Sequence, residues 1–589
     1  MSLRSCLLRS VTFALLSIAE LFAQQPKVLA PHKPVLPFAP KPWTLHKPPV
    51  PRSMIGGLWM TDANFKSTIY LKNYVEIYPI TVTPVLYLSN GKSYTLPDVT
   101  LEPAGTATVN INDALRQQGI APWATLSGYV EIKYQWPWDA LCVMVRDVDV
   151  VHSLIFTYFL RSLPATLTAA APNTAVESHY AEGMWWKQES DVSGFLALSN
   201  PTTKPVQAQI QISDDQANVL GEHTITVSPH GTKLWNIPEL QSAKSSEGGI
   251  RVSYSGPEFS LLITGGLEDQ TVGYSANIPF TSSPPAALDS KPLTYAELGL
   301  MTGAADPMLS FPAGTTFTPY SLVHNVSDWP ISVTPSLYWM QAGTPRSFRS
   351  TAFTLAPHQT ASIDVASLLV QSGLKDFNGS FNLILDVPGN SRGLLMASGS
   401  VDRSNTYVFE VLPKGIGETM AQGFSYWSIA NGDDTMVTLW NPADEAQDFI
   451  VNFFFSGGHY EYPIHLGPRV TLTFNVSEIV HNQLPDREGN VIPPQYTRAA
   501  PRFREAREST NKSCSPARQP PTTYKRPPAE ASVSNARKPL WTLFSGSIHS
   551  AYPSAAKLSL PVLKRLPAAI NSVALTGPPG AAATKRSQQ

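Results

Sequence analysis

Residues 101–111 read LEPAGTATVNI, and this stretch decides the fold because its pattern occurs four times along the chain. The shared pattern is an apolar residue, any residue, proline, two further residues, threonine, two further residues, an apolar residue, Asn or Asp, and Ile or Val. It returns at 227–237, 355–365 and 466–476. Repetition at a fixed period indicates copies of one structural unit. The prolines of the four copies are Pro103, Pro229, Pro357 and Pro468.

An asparagine precedes each of these prolines by a similar distance, namely 30, 29, 32 and 27 residues. An apolar residue stands two positions before each asparagine. The side chain of such an asparagine can bond to the backbone two residues further on and start a turn, so we predict that it ends a strand. The four asparagines are Asn73, Asn200, Asn325 and Asn441.

Apolar residues alternate with polar ones around these landmarks. Val206, Ile210 and Ile212 share one side of the second copy, and alternation with a period of two predicts half-buried strands. Seven or so short strands in each copy, separated by turn residues, are typical of an immunoglobulin-like sandwich. The sequence therefore predicts an all-β chain of tandem immunoglobulin-like β-sandwich modules, each closing its own apolar interior.

The strand-ending asparagine, the glycine turn and the proline motif resemble the bacterial immunoglobulin-like repeats of the CARDB and fibronectin-type-III class, which occur in exported surface proteins. The resemblance covers residues 55–496. It implies a fold and not a ligand, because such repeats act as spacers, adhesive units or accessory domains and carry no catalytic pattern.

The N-terminus reads as an export signal, because Arg4 and Arg9 precede an apolar run that is too short to cross a bilayer. We therefore expect a periplasmic, cell-surface or extracellular protein. The predicted boundaries are a signal peptide at 1–23, a proline-rich spacer at 24–54, modules at 55–163, 180–282 and 296–414, an incomplete fourth module at 420–496 and a basic low-complexity tail at 497–589.

The tail differs in charge from the rest of the chain. Residues 498–589 contain 15 Lys and Arg against 3 Asp and Glu, a net charge of +12, while the whole chain carries −1. Three hypotheses account for it: a disordered solvated tail, a basic arm for an anionic partner, or off-frame translation after a reading-frame shift near Gln495. On each of them the fourth module lacks closing strands, although 540–548 has the composition for one.

Recognisable catalytic motifs are absent from the sequence, and we predict no enzyme activity, no metal and no cofactor. Residues 389–393 match the G-x-S-x-G form of a nucleophile elbow around Ser391, but the repeat alignment places them at a hairpin turn. His230 and His358 occupy the same repeat position, directly after the proline, which a turn explains. Recurring acidic residues near Asp149 and Asp269 are expected in turns or at contacts between modules.

Tryptophans supply the remaining candidates for binding. Trp59, Trp185 and Trp186 stand at module starts and are expected in the core or at an interface. Trp136 and Trp138 fall at a predicted hairpin tip, where exposed rings would stack on sugars.

The favoured interpretation is a non-enzymatic exported protein for adhesion or display, with a cell-surface polysaccharide or protein as partner and no nucleic acid. The alternatives are a carbohydrate-binding accessory protein that uses Trp136 and Trp138, and a hydrolase whose site escapes motif analysis.

Overall fold

The computed structural model describes residues 49–505 and 569–575 apart from 76–77, 122–123, 137–138, 164–177, 188–190, 272, 283–290, 307–308, 310, 312–313, 403–406, 412, 417–426, 430–433, 456–457 and 496–497. The described chain forms antiparallel sheets with short helices between strands. The all-β prediction is confirmed.

Four groups of strands, called modules one to four, follow each other along the chain. The elements of module one are β1 Val50–Thr61, β2 Phe65–Asn73, β3 Ile80–Leu88, β4 Ser93–Thr95, β5 Val99–Leu101, β6 Thr106–Asn110, α1 Ile111–Gln117, β7 Leu126–Trp136, β8 Leu141–Asp149 and β9 Leu154–Ser162. Those of module two are β10 Ser178–Trp186, β11 Ser193–Ser199, β12 Val206–Ser213, β13 Val219–Val227, β14 Thr232–Asn236, α2 Glu239–Ser242, β15 Glu247–Ser255, β16 Leu262–Asp269, β17 Tyr274–Asn277 and β18 Phe280–Ser282.

Module three repeats this order with a short 3-10 helix near its end. Its elements are β19 Leu293–Ala304, β20 Thr316–Asn325, β21 Ile331–Gln341, β22 Thr344–Arg349, β23 Phe353–Leu355, β24 Thr360–Ser362, α3 Val365–Gln371, β25 Gly379–Val387, the 3-10 helix Ser391–Gly393, β26 Leu394–Asp402, β27 Tyr407–Val411 and β28 Lys414–Ile416. Module four consists of β29 Trp427–Ser428, β30 Asp434–Trp440, β31 Gln447–Phe455, β32 Gly458–Leu466, β33 Thr471–Asn475, α4 Val476–His481, β34 Arg498–Glu505 and β35 Ala569–Leu575.

Each module has two layers, and its main strands alternate between them. In module one, β7 lies between β1 and β3, whereas β2 lies between β6 and β8. An immunoglobulin sandwich instead pairs its first two strands within one sheet. The modules are therefore sandwiches with a different strand order, which alternation along each strand does not specify because it reports only which side chains face inward.

The last strand of module one belongs to both layers, because β9 pairs with β1 and with β8. In module two, two shorter strands share this role: β17 pairs with β16, and β18 pairs with β10. Pro279 lies between them, where its missing N–H interrupts the ladder.

Tryptophans at the module starts fill the cores, as expected. Trp59 and Trp185 are fully buried and stand opposite Gly128 and Gly248 in the neighbouring strand. A Cβ on Gly128 would lie 1.7 Å from the Tyr87 carbonyl oxygen, so no larger residue fits there. Module three has the reverse arrangement, with Leu300 opposite Phe381. The large ring is thus on the other strand.

The predicted boundaries differ from the structure at both ends. β1 begins at Val50, inside the segment expected to be a spacer. β34 and β35 lie in the segment expected to be a tail, and they take the places that β7 and β8 hold in module one. Module four therefore has closing strands, contrary to the expectation that it is incomplete. The physical reason is that the unpaired backbone groups of β30 and β31 can pair with any segment that extends, whatever its side-chain pattern.

Among the described residues, no helix has the length and apolar character that crossing a membrane requires.

Candidate functional site at the module interfaces

The two sequence landmarks of the repeat contact each other in every module. Asn73 donates from Nδ2 to the Tyr78 carbonyl at 2.8 Å and to the Glu102 carbonyl, next to Pro103, at 3.0 Å. Its Oδ1 accepts the Val75 amide at 2.8 Å. The predicted bond to the backbone two residues on is confirmed, and the proline turn is held by the same side chain.

The other three asparagines are fully buried and make corresponding bonds. Their Oδ1 atoms accept the amides of Thr202, Ser327 and Ala443 at 2.9, 3.0 and 3.0 Å. Their Nδ2 groups reach the strand that leads to Pro229, Pro357 and Pro468. These eight repeat positions therefore form a structural clamp, which explains why asparagine and proline recur together.

The residue after each proline adopts a left-handed backbone conformation. The φ angles are 51° at Ala104, 54° at His230, 59° at His358 and 61° at Arg469. Such a conformation is uncommon for residues other than glycine. It turns the residue away from its own module, and in modules two and three the residue contacts the preceding module.

Trp136, the described member of the predicted tryptophan pair, is buried with 6% of its surface exposed. Its ring lies 6.0 Å from that of Tyr78, and its carbonyl accepts the Arg52 Nε–H at 2.9 Å. The predicted exposure of this ring is wrong, because the end of β7 folds back onto the module core. Trp138 lies outside the described residues.

The G-x-S-x-G segment lies in the connection between β25 and β26. Ser391 is buried, and its hydroxyl donates to the Lys291 carbonyl at 3.2 Å. Asp149 and Asp269, the recurring acidic residues, accept backbone amides of the turns that follow them. These residues stabilise turns, as the sequence predicted.

Modules one and two meet through equivalent parts of the repeat. The His230 ring stacks on Tyr87 with a centroid distance of 5.6 Å. The Thr232 amide donates to the Ser89 carbonyl at 3.2 Å. Nearby, Phe156 and Phe195 make an edge-to-face contact at 5.2 Å, so this interface has an aromatic interior.

The interface between modules two and three contains a charged cluster around the buried Glu182, called here the Glu182 cluster and consisting of Glu182, Arg251, His324, Asp328 and His358. Glu182 Oε1 accepts from His324 Nε2 at 3.0 Å and from His358 Nδ1 at 2.9 Å. Its Oε2 accepts from Arg251 at 2.9 and 3.1 Å. Burial alone would raise the pKa of Glu182. The hydrogen bonds from the histidines and the positive charges nearby lower this pKa to about 2.

Thr360, His324 and Glu182 form a chain of contacts from hydroxyl to imidazole to carboxylate, the order of groups in a nucleophilic relay. Thr360 Oγ1 lies 2.8 Å from His324 Nδ1, and His324 contacts Glu182. All three residues are at most 2% exposed. A substrate has no access to this hydroxyl, so the arrangement holds the two modules together.

The apolar core also continues across this interface. Tyr320, Leu322 and Val326 of module three belong to the same buried cluster as the core of module two. The expectation that each module closes its own interior is wrong here. One face of β20 packs against the core of module two and the other against the core of module three.

Three modules meet around Asn277 in β17. Its backbone amide donates to Glu410 Oε1 at 2.7 Å, and its Nδ2 donates to the Thr157 carbonyl at 3.1 Å. Burial raises the pKa of Glu410 to about 7 despite these amide bonds. Asn277 thus connects β9 of module one with β27 of module three.

Modules three and four pack through Tyr338 and Trp440, whose ring centroids are 5.1 Å apart. Asn382 Nδ2 donates to Thr471 Oγ1 at 2.8 Å. Asn382 lies in β25 and Thr471 in β33.

Equivalent strands meet at each interface between consecutive modules. β14 of module two contacts β7 of module one, and β24 of module three contacts β15 of module two. A side-chain hydrogen bond joins β33 of module four to β25 of module three. β34 of module four, the equivalent of β7, in turn contacts β6 of module one, the equivalent of β14. Each module therefore contacts the next and the fourth contacts the first, which completes a cycle.

Within the described parts of the chain, no group of three or more His, Cys, Asp and Glu side chains could hold a metal ion. The shared repeat position of His230 and His358 is visible in the sequence, where a turn explains it. Glu182 carries no such signal, because its partners lie up to 176 residues away.

Comparison of the chain with protein families, curated proteins and solved structures finds no match. The resemblance to CARDB and fibronectin-type-III repeats therefore remains a prediction.

Proposed function

We propose that the chain is a non-enzymatic exported protein whose four modules act as one rigid unit for adhesion or display. The observation that carries the proposal is the cycle of contacts, in which equivalent strands join each module to the next. Domains joined by a small polar contact move relative to each other, whereas large apolar interfaces prevent this. At the interfaces between consecutive modules, aromatic packing is combined with hydrogen bonds.

Rigidity is useful to a surface protein because it fixes the distance and orientation of the surfaces it presents. The left-handed residues after Pro229 and Pro357 suit this role, since each is built into its own module and contacts the preceding one. The predicted N-terminal signal and proline-rich spacer agree with presentation outside the cytoplasm.

Export is tested by fractionating bacterial cells that express the full chain or residues 24–589. We expect the full chain in the periplasmic, surface or medium fraction and the shortened chain in the cytoplasm. Equal cytoplasmic retention of both chains would refute export.

Rigidity is tested by calorimetry of the exported product. Modules coupled through these interfaces should unfold in one transition, and Phe195→Ala at the interface of modules one and two should separate it into two. A control is Val370→Ala, because Val370 is 54% exposed and lies outside the interfaces. Four independent transitions in the unmodified protein would contradict the proposal.

Carbohydrate binding is the second candidate, and exposure of Trp329 favours it. This ring is 44% exposed in the turn that Asn325 organises. Exposed aromatic rings with polar neighbours are suited to stacking on sugars. Trp329→Ala should abolish retention on polysaccharide columns with little change in stability. Trp136→Ala should lower stability instead, because that ring is buried. Unchanged retention of the Trp329 variant would exclude this role for Trp329.

A further inference from the structure

Modules two and three are joined by an ion cluster that the equivalent contact between modules one and two lacks. Between modules one and two, His230 stacks on the Tyr87 ring, and the Ser199 and Thr232 hydroxyls bond to each other at 2.7 Å. Between modules two and three, His358 stands at the repeat position of His230 and bonds to the Glu182 carboxylate, while His324 stands at the position of Ser199. The repeat positions are shared, but the histidine contacts Tyr87 of β3 at one interface and Glu182 of β10 at the other.

Two carboxylates favour a doubly protonated His358 ring. Its Nδ1 lies 2.9 Å from Glu182 Oε1, and its Nε2 lies 3.0 Å from Asp328 Oδ1. Carboxylate oxygens only accept hydrogen bonds, so bonding to both of them requires both ring nitrogens to donate, which only the imidazolium can do. Arg251 Nη2, which also only donates, lies 2.8 Å from Nδ1 and 3.1 Å from Nε2 and competes with these bonds. Asp328 belongs to the same module as His358, whereas Glu182 belongs to the preceding one.

The remaining charged and titratable groups at the cluster oppose or support this state. Arg251 lies 2.8 Å from His358 Nδ1 and disfavours the positive ring, but the same guanidinium is neutralised by Glu182. Its charge also lies over the Tyr180 ring at 5.0 Å. His324 bonds to the Thr360 hydroxyl through Nδ1 and to Glu182 through Nε2.

We propose that the Glu182 cluster is a proton-dependent joint, closed when His358 is an imidazolium and loosened when this ring loses a proton. Loss of the proton leaves one ring nitrogen with a lone pair, which can accept from Arg251 but cannot donate to a carboxylate, so the ring keeps only one of its two carboxylate bonds. Because Glu182 is buried, little solvent screens the attraction between the imidazolium and the Glu182 carboxylate, and this attraction is lost with the proton.

The direction of the pH dependence follows from the partners of His358. Its bonds to Glu182 raise the pKa of His358 above the usual value. A group with a raised pKa in the folded state stabilises fully below its unfolded pKa, and the contribution is lost as pH rises through the folded pKa. The joint is therefore tightest in mildly acidic solution and weakens toward alkaline pH. A second loss occurs in strong acid, where Glu182 takes up a proton.

Two amides report directly on this joint. The Thr360 amide donates to the Asp215 carbonyl at 3.1 Å, and the Ser362 amide donates to Glu247 Oε1 at 2.9 Å. Both bonds cross from module three to module two. The Thr232 amide, bonded to Ser89 at 3.2 Å, is the matched control at the interface of modules one and two.

The test is native-state hydrogen exchange of the full chain between pH 5.5 and 8.5, corrected for intrinsic exchange rates. We expect the protection of Thr360 and Ser362 relative to Thr232 to fall about tenfold over this range, the effect of losing one charge-assisted hydrogen bond. His358→Asn should remove the pH dependence, since asparagine tolerates the left-handed backbone and does not titrate.

Asp328→Asn separates the proposal from a purely structural role of the cluster. Asp328 is a surface side chain, so this variant should fold normally while the midpoint of the protection profile shifts to lower pH. A constant ratio of protection across the pH range would overturn the proposal. So would an unchanged profile in either variant.

Discussion

Glu297 in β19 has no exposed surface, and its replacement by glutamine should make the stability of the protein less dependent on pH. Its Oε1 accepts the Ser321 hydroxyl at 3.1 Å. Burial, only partly offset by hydrogen bonds from Ser321 and Ser398, raises the pKa of Glu297 from 4.5 to about 8. At neutral pH the folded protein must therefore hold a proton that the unfolded chain releases.

The magnitude follows from linkage between protonation and folding. Because the folded pKa lies above the unfolded one, stability is greatest below pH 4.5 and is lost as pH rises to about 8. Each pKa unit is worth about 1.4 kcal/mol, so the loss approaches about 5 kcal/mol over this range. Glutamine fills nearly the same volume and carries no charge, so Glu297→Gln avoids this loss.

The assay is urea unfolding followed by hydrogen exchange of peptides from β19, at pH 5 and at pH 8.5. The variant should match the unmodified protein at pH 5 to within about 1 kcal/mol, the worth of one altered hydrogen bond. At pH 8.5 it should be the more stable by about 3–5 kcal/mol. Glu222→Gln, at an exposed position in β13, is the control and should leave the difference near zero. Identical pH dependence in the Glu297 variant and the unmodified protein would refute the reasoning.

Three other changes test the repeat and its closure, the first two by the free energy of unfolding and the third by proteolysis. Asn325→Ala should destabilise module three by about 2–4 kcal/mol, because several buried backbone groups lose their partner; a loss under 0.5 kcal/mol would exclude the clamp. Gly248→Ala places a Cβ 2.0 Å from the Ser213 carbonyl oxygen, so module two should lose at least about 3 kcal/mol, whereas Gly343→Ala, where a Cβ meets no neighbour and only the φ of 76° opposes it, should cost about 1–2 kcal/mol. Truncation after residue 568 removes β35 and should expose β30 to proteolysis, and an unchanged cleavage pattern would show that this pairing is unimportant.

Strand type and turn position were predictable because both depend on neighbouring residues. Alternation at Val206, Ile210 and Ile212 predicted β12, and the asparagine at the end of each second strand predicted the turn bond that the structure has. The exposure of Trp136 was not predictable, since it depends on how the end of β7 meets Tyr78, 58 residues earlier in the chain.

The sequence by itself determined that four copies of one strand pattern exist and that asparagine and proline mark their turns, because these features follow from local backbone geometry and the period of side chains. Only the tertiary structure decided which strands pair, how the modules join in a cycle and where charges are buried. Glu182 belongs to module two, whereas His324 and His358 belong to module three, and nothing in their immediate sequence indicates that they meet. The protonation and strength of such a cluster depend on burial and distance, which exist only after the modules have packed.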